Sequence, residues 1–293
     1  LSARLLILGA QGQLALALAD AAHRFGFEAV CAGRSTADLA KRGPVSRLVE
    51  ALRPDAVINA AAYTDVDAAE RDPELALAVN ADGAGEAADA AAKAGARFIH
   101  VSTDFVFSDG GPHREDAAVR PVNFYGQTKR AGEIAVLAAA PYAAIVRAGG
   151  VFSGRGRDFP SAIWRRACAG DPVTVVDDQR VTPVLADDLA ERLLALAAQS
   201  DTSGVLHCAS APGASWHAIA LDALSALADA GGPRCTAEPV SSAVFARPAP
   251  RPADSRLAGD RLTDATGYAA PDWRAGLKIA VRRWLALHNE GAS

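Results

Sequence analysis

The 293-residue chain has no methionine, and only four cysteines, four tyrosines and four lysines (Lys41, Lys93, Lys129 and Lys278). The lack of methionine implies that the initiator is removed or lies outside this chain. Lysine is scarce but cations are not. The other 26 basic residues are arginines, and 30 basic against 34 acidic side chains leave a net charge of -4. These charges are well mixed, with no basic tract or stripe of the kind that binds a phosphate backbone, so no nucleic-acid partner is expected. No apolar run approaches the roughly 18 residues needed to span a bilayer, so no membrane partner is expected either. The apolar opening at Leu5–Leu8 breaks at Gly9 into a polar turn. It lacks the length and cleavage site of a secretory leader. Cys31, Cys168, Cys208 and Cys235 show no CxxC or ligand-like spacing, so no metal is expected. Reduced thiols in the cytoplasm are the expected state.

Half of the residues are apolar and 22% are charged, as in a globular protein rather than a disordered one. Alanine makes up nearly a quarter of the chain. Alanine, arginine, glycine and proline share GC-rich codons, so this bias says nothing about function. It does make each remaining tyrosine and lysine worth locating. At about 150 residues per domain, the length allows two small domains or one large one.

Short apolar runs alternate with Ala-rich amphipathic stretches through the first half. The pattern predicts strands at Leu5–Leu8, Glu28–Ala32, Ala56–Ala60, Arg97–Ser102 and Ala143–Arg147. It predicts helices at Leu14–Phe25, Ser46–Leu52, Glu70–Val79, Ala81–Ala94 and Tyr125–Ala138. Strands without polar alternation, separated by helices, imply a parallel sheet covered on both faces. The fold class is therefore α/β, a doubly wound parallel (Rossmann) sheet with a smaller C-terminal α/β domain. Residues 1–150 would form the dinucleotide-binding domain and residues 151–293 mainly the substrate domain, with a strand near 204–210 returning to the sheet. The second part should hold helices at Asp158–Ala169, Leu185–Gln199, Ser215–Ala230 and Trp273–His288, a strand at Val173–Val176, and irregular chain over Pro233–Pro252.

Gly9, Gly12 and Ala15 follow the first strand in a GxxGxxA turn. Such a turn brings backbone and a helix N-terminus against a pyrophosphate. Gln11, Gln13 and Leu14 fall in the same stretch. Arg34, at the end of the second strand, suits a 2′-phosphate better than free ribose hydroxyls and points to NADPH, with NADH still open. Asp38 and Leu39 could flank the adenine. Ala60, Ala61, Ala62 and Tyr63 end the third strand, where small residues leave room for a ligand.

The most specific pattern is Ser102-Thr103-Asp104 at the end of the fourth strand, followed by Tyr125-xxx-Lys129. Positions i and i+4 share a helix face. A phenol is a poor acid at neutral pH unless a nearby ammonium stabilises the phenolate. Thr103 could donate a second hydrogen bond to a substrate carbonyl and polarise it for hydride attack. With four tyrosines and four lysines, chance supplies roughly 0.05 YxxxK pairs in a chain of this length.

On these motifs the sequence resembles the extended short-chain dehydrogenase/reductases. More narrowly it is similar to the dTDP-4-dehydrorhamnose reductase family, through Gly9–Leu14, residues 54–70 (PDAVINAAAYTDVDAAE), Ser102–Phe107 (STDFVF), Tyr125–Lys129, residues 251–257 (RPADSRL) and Asp178-Gln179. The resemblance implies Thr103, Tyr125 and Lys129 as the catalytic triad, with Ser102, Tyr125 and Lys129 also against the cofactor. It implies hydride delivery to C4 of a dTDP-linked 4-keto-6-deoxy sugar, with the proton from Tyr125. Thr103, Asp104, Phe105, Val106, Tyr125, Gly150, Arg251 and Ser255 would bind that substrate, and Asn80 would support the active-site backbone. A homodimer is left open. Phe105 stands where the family usually has tyrosine, and Gly150 where it usually has tryptophan, which leaves the exact sugar open. A dehydratase would need a second carboxylate after Asp104, where Phe105 stands. An epimerase, a reductase of another keto sugar, and a non-catalytic dinucleotide-binding subunit are the remaining alternatives.

Overall fold

In a computed structural model, residues 2–198, 202–245 and 247–289 are described. Buried β-rich runs that cannot face water become the strands of one sheet. They are β1 (Ala3–Leu8), β2 (Phe27–Ala32), β3 (Ala56–Asn59), β4 (Arg97–Thr103) and β5 (Ala144–Phe152), in the spatial order β2-β1-β3-β4-β5, all parallel. β5 is long enough to serve two partners. Its first half pairs with β9 (Gly204–His207) and its second half with β8 (Pro183–Leu185), and the β8 pairing shifts register between Gly149 and Val151.

Helices α1 (Gln13–Ala21) and α8 (Ala186–Ala198) cover one face with Leu14, Leu18, Leu189 and Leu193. The alanine faces of α5 (Gly83–Lys93) and Val136 of α6 (Phe124–Ala139), with α2 (Pro44–Leu52), cover the other. A third core lies beyond the sheet's carboxyl ends. There Trp164, Trp273 and Trp284 pack between α7 (Phe159–Ala169), α9 (Trp216–Asp229) and α11 (Trp273–Asn289). The indoles of Trp164 and Trp273 donate to the carbonyls of Ala223 and Pro212, so the burial leaves neither N–H unpaired.

Several elements differ from expectation. Glu70–Val79 is not one helix. A turn at Glu70–Asp72 separates α3 (Val66–Ala69) from α4 (Pro73–Leu77), because proline restarts a helix at its first turn and cannot continue one. From α4 the chain runs through a π turn at Ala78–Asp82 into α5. The first helix tightens to 3₁₀ geometry over Ala22–Phe25. The helix expected from Leu185 starts at Ala186, after β8, and Gln199 lies outside the described residues. Residues 233–252, expected to be irregular, contain β11 (Glu238–Val240), which pairs in parallel with β6 (Thr174–Val176). Two-residue strands β7 (Arg180–Val181) and β10 (Ala214–Ser215), and the short helix α10 (Arg261–Thr266), complete the chain.

Candidate active site

The Gly-rich turn leaves β1 at Gly9, whose φ of +115° lies where only glycine sits without strain. Nothing lies within 4 Å of where a Cβ on Gly12 would be, so the backbone there is open to a ligand. Gly9, Gln11, Gly12, Arg34, Asp38, Leu39, Ala60, Ala61 and Ala62 line one groove of ≈ 820 Å³ along the carboxyl ends of β1, β2 and β3. Arg34 is exposed at its rim. Gly33, Ser35, Thr36 and Thr64 line it too. The sequence reading passed over these, although they adjoin residues it named. The side chains of three expected neighbours turn elsewhere. Leu14 is buried in the core under the sheet. Gln13 donates its amide to Val151 O at 2.9 Å. The Tyr63 hydroxyl donates to Asp72 at 3.2 Å, while its backbone N–H and C=O are both held by the Asn80 amide. Asn80 sits in the π turn and also reaches Thr128 Oγ1 at 3.0 Å. It thereby ties the end of β3 to α6.

Thr103 ends β4 and caps a short 3₁₀ turn, Asp104–Val106. Its hydroxyl accepts from Phe105 N and donates to Asp104 Oδ1, both at 3.1 Å. Helix α6 starts at the Asn123 cap, whose Oδ1 accepts from Gly126 N at 2.8 Å. A Cβ on Gly126 would collide with Phe105 O, and one on Gly132 with Asn80 O. Gly132 lets α6 close on the π turn, and Gly126 lets it close on the turn after β4, where the Tyr125 hydroxyl comes into hydrogen-bonding reach of Thr103. The Phe105 ring meets Tyr125 edge-on at 6.0 Å. Val106 is fully buried with Phe107 against Leu257.

The charge on this cluster departs from expectation. Burial, with the Asp104 carboxylate beside it, pushes the Tyr125 phenol up to about 12, against the Thr103 hydrogen bond. Lys129 does not offset this, because its Nζ donates to Val101 O at 2.7 Å and lies 3.4 Å from His100 Nε2. Burial takes Lys129 itself down to about 8, opposed by the charge of Glu133. Asp104 is pushed up to about 6 by burial, although Ser255 and Thr103 both hydrogen-bond it.

Behind the cluster is a network the sequence reading missed. Glu133, fully buried, takes two 2.7 Å bonds from Arg147 of β5, one from Arg130 and one from the Ser102 hydroxyl. The signal was present: Tyr125, Lys129 and Glu133 recur every four residues and share the inward face of α6.

The C-terminal residues come to the same end of the sheet. The Ser255 hydroxyl lies 2.6 Å from Asp104 Oδ2 and is buried. Arg251 forms a two-pronged pair with Asp67, at 2.5 and 2.9 Å, and the Pro250 carbonyl accepts from Asn123 at 2.8 Å. Gly150 has φ +52°, and a Cβ there would sit 3.2 Å from Pro183 and 3.5 Å from the Trp216 ring. The space beside Gly150 is bounded by those two residues.

A parallel sheet with a Gly-rich first turn, and a Thr–Tyr–Lys constellation at its carboxyl edge, define an extended short-chain dehydrogenase/reductase. The family model described as "RmlD substrate binding domain" matches residues 3–285, and the chain belongs to that family. It is 40% identical over 287 residues to the dTDP-4-dehydrorhamnose reductase of Mycobacterium tuberculosis, covering 96% of this chain and 93% of that one. It is 38% identical over 293 residues to that of Sinorhizobium fredii, covering 97% and 98%. The crystal structure of the Bacillus anthracis dTDP-4-dehydrorhamnose reductase in complex with NADP superposes with a TM-score of 0.88 at 30% identity, covering 95% of this chain and 98% of that one. A Thermus thermophilus UDP-glucose 4-epimerase shares the fold at 19% identity, with a TM-score of 0.80. Among the described residues no helix is long and apolar enough to cross a membrane.

Proposed function

We propose that this chain reduces the C4 ketone of a dTDP-4-keto-6-deoxy-L-hexose with NADPH, converting dTDP-4-dehydro-L-rhamnose to dTDP-L-rhamnose. The observation that carries the reading is the convergence of Thr103 and Tyr125 at the strand end beside the groove opened by Gly9 and Gly12. That groove fits a dinucleotide. Its turn is free of side chains where a pyrophosphate would lie, and the N-terminus of α1 presents unpaired N–H groups to it. Arg34 at the rim suits a 2′-phosphate. Bound there, NADPH supplies the hydride.

The protein's own residues do the rest. Thr103 donates to the ketone oxygen after releasing Asp104, and Tyr125 gives that oxygen its proton as charge develops on it. With a pKa near 12 in the free protein, Tyr125 begins protonated, as a donor must. Lys129, as an ammonium, would hold the nicotinamide ribose and stabilise the phenolate left behind. Asp104, with Ser255 behind it, and Phe105 would border the sugar. Arg251 would exchange Asp67 for the diphosphate of the nucleotide. On this reading residues 1–150 bind the dinucleotide and the later chain mainly the sugar nucleotide.

The test is NADPH oxidation, followed by absorbance, with a dTDP-linked 4-keto-6-deoxyhexose. Turnover with one product alcohol per NADPH consumed is expected. Tight NADPH binding without oxidation of any nucleotide-linked keto sugar would instead indicate a non-catalytic subunit.

A further inference from the structure

Lys129 is buried, and the groups nearest its Nζ lie on β4 rather than on its own helix: Val101 O at 2.7 Å and His100 Nε2 at 3.4 Å. The far side of the imidazole is fixed. Asn59 Oδ1 accepts from Ala61 N at 3.2 Å, which turns the Asn59 amide nitrogen toward His100 Nδ1, 3.2 Å away. An amide nitrogen only donates, so Nδ1 must carry a lone pair, and the ring proton sits on Nε2. An imidazolium would set N–H against N–H at Asn59. Burial also pushes His100 well toward its neutral form. The group facing Lys129 is therefore a donor. An ammonium has no lone pair with which to meet it, whereas an amine does.

We propose that Asn59 and His100 form a tautomer lock that favours the neutral amine of Lys129 in the cofactor-free protein, so that binding of the nicotinamide cofactor brings a proton onto Lys129 from solvent. This rests on the cofactor reading above. A dinucleotide brings hydroxyl oxygens and negative charge, and both favour the ammonium. The other groups around Lys129 do not set its charge alone. Glu133, one turn later on α6, favours the ammonium, but its oxygens are shared among Arg147, Arg130 and Ser102. Tyr125, one turn earlier, is a neutral phenol, and β4 otherwise offers the Val101 carbonyl. His100 and Asn59 are thus positioning residues, acting through Lys129.

Calorimetric titration of the whole chain with NADPH, in two buffers of different ionisation enthalpy, reads the proton directly. At pH 8 an uptake of roughly half a proton per NADPH is expected, falling toward zero at pH 6. Asn59→Asp should reverse the lock. Its carboxylate accepts from Nδ1–H, the ring proton moves, and Nε2 then accepts from the ammonium. Its uptake at pH 8 should fall below roughly one fifth of the wild-type value. Equal uptake in both proteins, or none in the wild type despite normal NADPH binding heat, overturns the lock and leaves the cofactor reading standing. No binding heat at all overturns the cofactor reading on which the lock rests. Nitrogen-15 NMR of His100 in the wild type needs no variant to fold. An Nε2–H tautomer is expected, and an Nδ1–H ring or an imidazolium overturns the proposal.

Discussion

In the amino-terminal sheet, the groups of the site hang from strand ends and from the first turns of the helices that follow. Gly9 and Gly12 leave β1, Thr103 ends β4, and Tyr125 opens α6. Residues 247–257 supply their groups differently. Arg251 reaches back 184 residues to Asp67, Ser255 reaches 151 to Asp104, and Asn123 holds the carbonyl of Pro250. One region builds its part of the site from local segments on a rigid frame. The other is fastened to that frame by polar pairs between distant parts of the chain. The first should therefore carry chemistry and stability, and the second substrate affinity.

The largest expected effect tests the frame. Arg147→Ala leaves Glu133 buried and without its main partner, and should cost about 3–5 kcal/mol of stability in urea unfolding. A loss below about 1 kcal/mol would mean that the pair does not hold α6 to β5. Next is the chemistry on that frame. Tyr125→Phe removes the proton donor and should lower kcat at least ~10²-fold, with the dissociation constant for NADPH little changed.

Asp104 lies where the two regions meet. Its folded pKa, about 6, is above the ordinary 3.8, so the native state binds the extra proton between those values. Stability from this group is therefore lost as pH rises from about 4 to about 6. Asp104→Asn should stabilise the protein by about 1–2 kcal/mol at pH 7 and have little effect at pH 3.5, as measured by unfolding at both pH values. The smallest effect belongs to the fastened region. Arg251→Ala should raise KM for the sugar nucleotide about tenfold and change kcat by less than about threefold. A fall in kcat as large as that of Tyr125→Phe would erase the distinction between the regions.

The same difference governs what could be read from sequence. Tyr125 and Lys129 stood out because both residue types are rare here and fall at helical spacing. Gly9, Gly12 and Arg34 were legible because a βα turn is local. β8 was missed because it is three residues long and opens on Pro183, as a strand lacking its first N–H donor does. The π turn at Asn80 was missed because it serves contacts with Tyr63 and Thr128, 17 and 48 residues away. The contacts of Lys129 were not legible for a related reason. Spacing placed its backbone one turn from Tyr125, but His100 and Val101, from another strand, hold its Nζ.

The measurement that bears most directly on the account is the fate of deuterium carried by NADPH at the reactive nicotinamide carbon, with dTDP-4-dehydro-L-rhamnose as substrate. One deuterium at C4 of the product hexose and none elsewhere is expected. Deuterium at another carbon, or product formed without it, would contradict reduction of the C4 ketone at this site.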